Sequence, residues 1–175
     1  MKNLVVVIAF LISSVASYAQ GAFDKFEDKD GVASVIVNKK MFEMMSKVKV
    51  DAKDKQMQQY MNLLKKLDNL KVFTTSNAKL GADMKATVMT YLKSNPLEEL
   101  MRVNSDGKNV KIYVKSGANE NIVKELLLFI EGANMKDANT IVLSLTGNFN
   151  LDEISMLTEK MSLPGGADLK KASKK

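Results

Sequence analysis

From residue 97 onward the spacing of apolar residues shortens from three or four to two, and this change dictates a sheet. Residues 97–103 and 109–115 flank Asn104-Ser105-Asp106-Gly107-Lys108, a turn sequence with Asp106-Gly107 at its tip, which predicts a β-hairpin. In its second arm Val110, Ile112 and Val114 fall on one face, and Lys111, Tyr113 and Lys115 on the other. Residues 123–131 follow with Leu126-Leu127-Leu128-Phe129-Ile130. Positions 123, 126, 127 and 130 would share one face of a helix, but the short run and its glycine stop favour a strand. Residues 140–145 read as a further strand, broken by Gly147.

Upstream, the β-branched residues 32–37 predict a strand that is apolar on both faces and therefore interior to the sheet. Residues 39–48 predict a helix with Met41, Met44, Met45 and Val48 in a core-facing stripe. Residues 51–67 predict a second helix, burying Met57, Tyr60, Met61, Leu64 and Leu67. A strand at 72–75 and a helix at 78–93 come next, the helix capped by Ser76 and Asn77 and ended by Pro96. Asn150 and Glu153 start a last helix in a near capping box, and the Leu-Pro-Gly-Gly at 163–166 ends the fold. The expected architecture is α+β in the order βααβαββββα: a mixed, largely antiparallel sheet with helices packed on one face.

The first residues have the grammar of a secretory leader. Lys2 is followed by an apolar run at 4–12, and Ser17 and Ala19 place small residues at −3 and −1 before Gln20. The run is too short to span a bilayer, which takes about 20 residues. The expected organisation is a signal peptide at 1–19, a single domain at 20–163 and a flexible lysine-rich tail at 164–175. The chain has no cysteine, so it carries neither a lipid on a cleavage-site thiol nor a disulfide, and its fold must rest on a core. About 150 residues can bury close to 70% of their unfolded surface. These features predict an exported protein, periplasmic or secreted, that is not a lipoprotein.

The formal charge is +6, of which Lys2 supplies one. Lys170, Lys171, Lys174 and Lys175 crowd the C-terminus, with Lys160 upstream, so the basic excess belongs to the tail and not to a binding face. Nucleic acid is not an expected partner, and weak contact of the tail with anionic surfaces is. Histidine is absent as well as cysteine. That removes every Ser-His-Asp arrangement, thiol nucleophiles and the common zinc sites. The acidic cluster Asp24, Glu27, Asp28 and Asp30 before Gly31 fails as a calcium loop. With Gly31 at the sixth position, Phe26 and Val37 would occupy ligand positions. Met41, Met44 and Met45 could supply thioethers to Cu(I), but their spacing is that of a core face. No cofactor or metal is expected.

One constellation favours binding. If Val110, Ile112, Val114, Leu126, Leu128, Ile130, Ile141, Leu143 and Leu145 pack under the helices, the reverse face presents Arg102, Lys111, Tyr113, Lys115, Leu127, Phe129, Val142 and Ser144. An apolar, aromatic centre with a cationic rim has the make-up of an interface. The competing reading is that the last helix or a terminus covers it.

Three segments, Phe23-Asp24-Lys25-Phe26 running to Met45, residues 98–115, and Glu125 to Gly132 leading into residues 141–154, together resemble the exported bacterial proteins of the domain of unknown function 4252 family. The resemblance implies an envelope protein, often lipidated in other members, with an association to envelope signalling, and it supplies no catalytic residues. The expected function is a non-catalytic interaction module of the envelope, contacting another envelope protein or a second copy of itself. The alternatives are a carboxylate-based hydrolase or carbohydrate-handling enzyme built on pairs such as Glu98/Glu99 or Asp152/Glu153, and a carrier of a small apolar ligand.

Overall fold

The computed structural model describes residues 21–51, 53–105, 107–119, 121–132 and 140–172. The leader expected at 1–19 lies outside the described residues. The elements are β1 (Ala33–Asn38), α1 (Lys39–Met45), α2 (Lys55–Leu64), β2 (Leu67–Thr75), α3 (Ala78–Ser94), β3 (Glu98–Ser105), β4 (Lys108–Ser116), β5 (Ile122–Gly132), β6 (Thr140–Asn150), α4 (Ile154–Lys160) and α5 (Gly166–Ala172). Short 3-10 turns occupy Asp24–Phe26 and Leu151–Glu153. The six strands form one sheet in the order β1-β2-β6-β5-β4-β3. Every neighbouring pair is antiparallel. The α+β class and the order of elements along the chain follow the expectation, with one helix added at the end.

Side-chain caps set the helix starts. Asn38 accepts a hydrogen bond from the Met41 N–H at 3.0 Å, and Asp54 from Met57 at 2.9 Å. Asn77 accepts from Lys79 and Leu80 at 2.9 and 3.1 Å. Each cap satisfies amide groups that the first helical turn leaves without a partner.

Two apolar cores sandwich the sheet. One contains Val110, Ile112, Leu126, Leu128, Ile130, Leu143 and Leu145, as expected, under α1, α2, α4 and α5. The other lies on the reverse face and contains Phe73, Leu127, Phe129 and Val142 against Met84, Val88 and Tyr91 of α3 and Phe23 and Phe26 of the N-terminal turn. The expectation that all helices share one face is therefore corrected by α3. Its cause is topological. α3 joins β2 to β3, which lie four strand positions apart, a span of about 19 Å. A helix of 17 residues is about 25 Å long and makes that crossing. It lies over the face that α1 and α2 leave open.

Three further expectations change. β1 is an edge strand, not an interior one. β2 begins at Leu67, which was expected to end a helix, and not at residue 72. A bulge between Leu67 and Asn69 puts Leu67 and Leu70 on one face at a spacing of three, which imitates a helical period. Gly147 does not break β6; it sits inside it. A Cβ there would stand 2.4 Å from the Lys66 carbonyl oxygen, so glycine is required where β2 enters the sheet.

The tail expected to be free from residue 164 begins as a helix. Leu169 of α5 is only 1% exposed, and Asp168 accepts a hydrogen bond from Lys108 at 2.8 Å. The buried Leu169 and the Asp168–Lys108 contact seat α5 on the core despite its lysines.

Candidate interaction surface

The face proposed from sequence divides into a covered part and an open part. Leu127, Phe129 and Val142 are buried beneath α3, so they are core and not an interface. The correction follows from the α3 crossover, a cover that strand periodicity alone does not reveal. Arg102, Lys111 and Lys115 lie at its rim on β3 and β4, and Tyr113 packs partly buried against the same core. Arg102 and Lys111 are cross-strand neighbours, as are Glu99 and Tyr113. Arg102 forks onto Glu99 at 2.9 and 2.6 Å. That contact holds the Glu99 carboxyl below its usual range and raises the guanidinium. Burial, then the Glu99 charge, raises the Tyr113 hydroxyl. The result is a half-buried ring in a locally neutralised charge cluster.

One acid of each expected pair is engaged in structure, Glu99 by Arg102 and Glu153 by Lys66. Glu153 meets Lys66 at 2.7 Å and accepts the Asn150 N–H at 3.0 Å, the carboxylate half of the expected capping box. Three shallow clefts carry one carboxylate each, Asp83, Glu131 and Glu159 respectively. None of these three offers the two facing acids that glycoside hydrolysis uses. The buried carboxylate Glu125 accepts a hydrogen bond from the Tyr91 hydroxyl. Burial, followed by the charge and hydrogen bond of Glu125, raises the Tyr91 hydroxyl far above its ordinary value. The acidic cluster at the N-terminus is likewise employed: Lys71 bridges Asp24 and Glu27, pinning the turn that carries Phe23 and Phe26.

The surface that stands out lies at the opposite end of the sheet. Among the described residues the exposed large apolar side chains are Val35, Ile36, Met41, Met44, Val48, Met89 and Leu100, and five of these seven belong to β1, α1 and the turn after α1. Val35 is 47% exposed, Met44 59% and Val48 60%. The core-facing stripe expected of α1 is thereby corrected. Phe42 is the buried anchor and Met45 is partly buried; Met41 and Met44 turn outward because they lie about 100° and about 160° around the helix from Phe42, and Val48 follows in the turn beyond the helix. Sequence reasoning missed this surface because an apolar run beside methionines reads equally well as core. The available signal was β1 itself, whose apolar residues occupy both faces.

The two edges of the sheet differ. β3 carries Glu98, Glu99 and Arg102 and a bulge between Glu99 and Met101, devices that discourage further pairing. β1, with the sequence Ala-Ser-Val-Ile-Val-Asn, has no charge, no proline and an unbroken register against β2. Among the described residues no strand occupies its outer side.

A six-stranded antiparallel sheet with helices on both faces and one unguarded edge defines an α+β domain whose accessible feature is a strand. The chain belongs to the family described as "Domain of unknown function (DUF4252)", whose profile matches residues 26–157. Comparison with curated proteins and with solved structures finds no match. Among the described residues no helix is long and apolar enough to cross a membrane.

Proposed function

We propose that this chain is an exported interaction module that binds an extended strand of another polypeptide along the outer side of β1, with Met41, Met44 and Val48 forming the apolar floor beside it. The carrying observation is the unguarded β1 edge adjoining the exposed apolar stripe. An added strand gains main-chain hydrogen bonds from the edge and specificity from alternate side chains. Methionines suit such a surface because unbranched thioethers adapt to different partners. Export is supported by the leader grammar at Lys2, residues 4–12 and Ala19. A carboxylate enzyme has less support, since Glu99 and Glu153 serve salt bridges and Glu153 a helix start.

The test is site-specific photo-crosslinking in the producing cell. A photoreactive residue at Val35 or Met44 is expected to give a defined polypeptide adduct whose crosslinked peptide is an extended segment, whereas one at Met89, equally exposed on α3, gives none. Absence of adducts from both Val35 and Met44 would refute the reading.

A further inference from the structure

Resting on that reading, we infer that the strand β1 receives is the β1 of a second copy, paired antiparallel about a two-fold axis at Val35. Two identical strands can lie side by side and antiparallel in one sheet only when the axis stands perpendicular to the sheet. Each residue then faces a partner on the same side, so the centre must fall on a residue and not between two. Residues 33, 35 and 37 share the face of α1, with Val37 in its core, whereas 34 and 36 face the other way. An axis at Val35 sets Val35 opposite Val35 of the second copy, Ser34 opposite Ile36, and Ala33 opposite Val37.

Charge favours the antiparallel direction. β1 is preceded by Asp28, Lys29 and Asp30 and followed by Lys39, which meets Asp68 at 3.0 Å, and Lys40, all exposed. Antiparallel pairing about Val35 lays the turn that carries Asp28 and Asp30 in each copy beside the start of α1 in the other, where Lys40 is exposed, and does so twice. An axis at Ile36 would bring the two Ile36 side chains together on the face away from α1 and its exposed Met41 and Met44. Pairing of β1 with β3 of another copy would meet the β3 bulge and its charges, and it would propagate without closing. The two-fold arrangement closes, and it places both α1 helices on one side of the joined sheet, where their Met41 and Met44 side chains cover the two valines. Uncharged strand residues with opposite charge at the two ends are what an isologous antiparallel contact needs.

The chain has no cysteine, so a single introduced thiol reports the register without interference. Val35→Cys is expected to form a disulfide-linked dimer on mild oxidation much faster than Ile36→Cys or Met89→Cys, because directly opposed strand residues have Cβ atoms about 4.5–5.5 Å apart. The unmodified chain should sediment as a dimer at about 100 μM, and Val35→Lys should weaken dimerisation roughly tenfold or more by opposing like charges at the axis. Asp30→Lys should weaken it, and adding Lys40→Asp to the same chain should restore it. Equal oxidation of all three cysteine variants would overturn the register, and no rescue by the charge swap would overturn the antiparallel direction. A monomer at every concentration would overturn the second copy as occupant. If crosslinks from Val35 then lead to a different polypeptide, strand docking survives; if they lead to none, both readings fall.

Discussion

Truncating Phe129 to alanine separates a covered sheet face from an open one. Phe129 is 3% exposed, in the middle of β5, packed in the core that Met84, Val88 and Tyr91 close from above. Its cross-strand neighbours are Lys111 and Val142. Removing a buried phenylalanine costs about 3–5 kcal/mol, combining lost burial with the cavity that remains. For a domain of this size, with a urea dependence of about 2 kcal/mol per molar, the unfolding midpoint falls by about 1.5–2.5 M. Phe129→Leu keeps most of the volume and should cost under about 1.5 kcal/mol. The assay is equilibrium urea unfolding followed by far-ultraviolet circular dichroism, with linear slopes compared between variants. Were the face open to solvent, Phe129→Ala would change stability by no more than about 0.5 kcal/mol. A loss below about 1 kcal/mol would therefore refute the placement of α3 over the sheet.

The C-terminal helix gives a second test: Leu169→Ala should lower stability by about 2–4 kcal/mol in urea unfolding, an effect a free tail cannot produce. Gly147→Ala should cost at least about 2 kcal/mol, because its Cβ meets the Lys66 carbonyl oxygen and the Leu67 Cα, both backbone atoms that cannot swing aside. Burial raises the hydroxyl pKa of Tyr60, Tyr91 and Tyr113 above the ordinary value of 10.0, with Glu125 adding to the effect at Tyr91. The unfolded chain thus ionises first, so stability is complete below pH 10 and is lost as pH rises from there through the folded-state values. Urea midpoints between about pH 8 and 11 should show that decline, and a shallower one in Tyr91→Phe.

The sheet was readable where alternation was unbroken. Val110, Ile112 and Val114 fixed the inner face of β4, and the glycine-bounded run around Leu126 to Ile130 gave β5 despite positions 123 and 126 mimicking a helix. That mimicry comes from the bulge between Val123 and Glu125. The Leu67–Asn69 bulge misled in the same way and hid the first half of β2. Bulges shift a period of two by one residue, and nothing in local composition announces them. The side on which a helix lies was not readable either. Met84, Val88 and Tyr91 mark an inward stripe but not which face of the sheet receives it, because that depends on how far apart β2 and β3 end up. Of the surface proposed from sequence, Arg102, Lys111 and Lys115 stay at the rim, Tyr113 packs partly buried against the core under α3, and the apolar centre became core. The candidate site at β1 was visible as residues and misread as interior, since valine and isoleucine on both faces suit a buried strand and an interface strand alike.

Amide hydrogen exchange at two protein concentrations tests the pairing of β1 with a second copy most directly. Raising the concentration from about 1 to about 200 μM should slow exchange in Ala33–Asn38, whose outward amides gain partners, and leave Glu98–Ser105 of β3 unchanged. Unaltered exchange in β1, or slowing confined to β3, would contradict it.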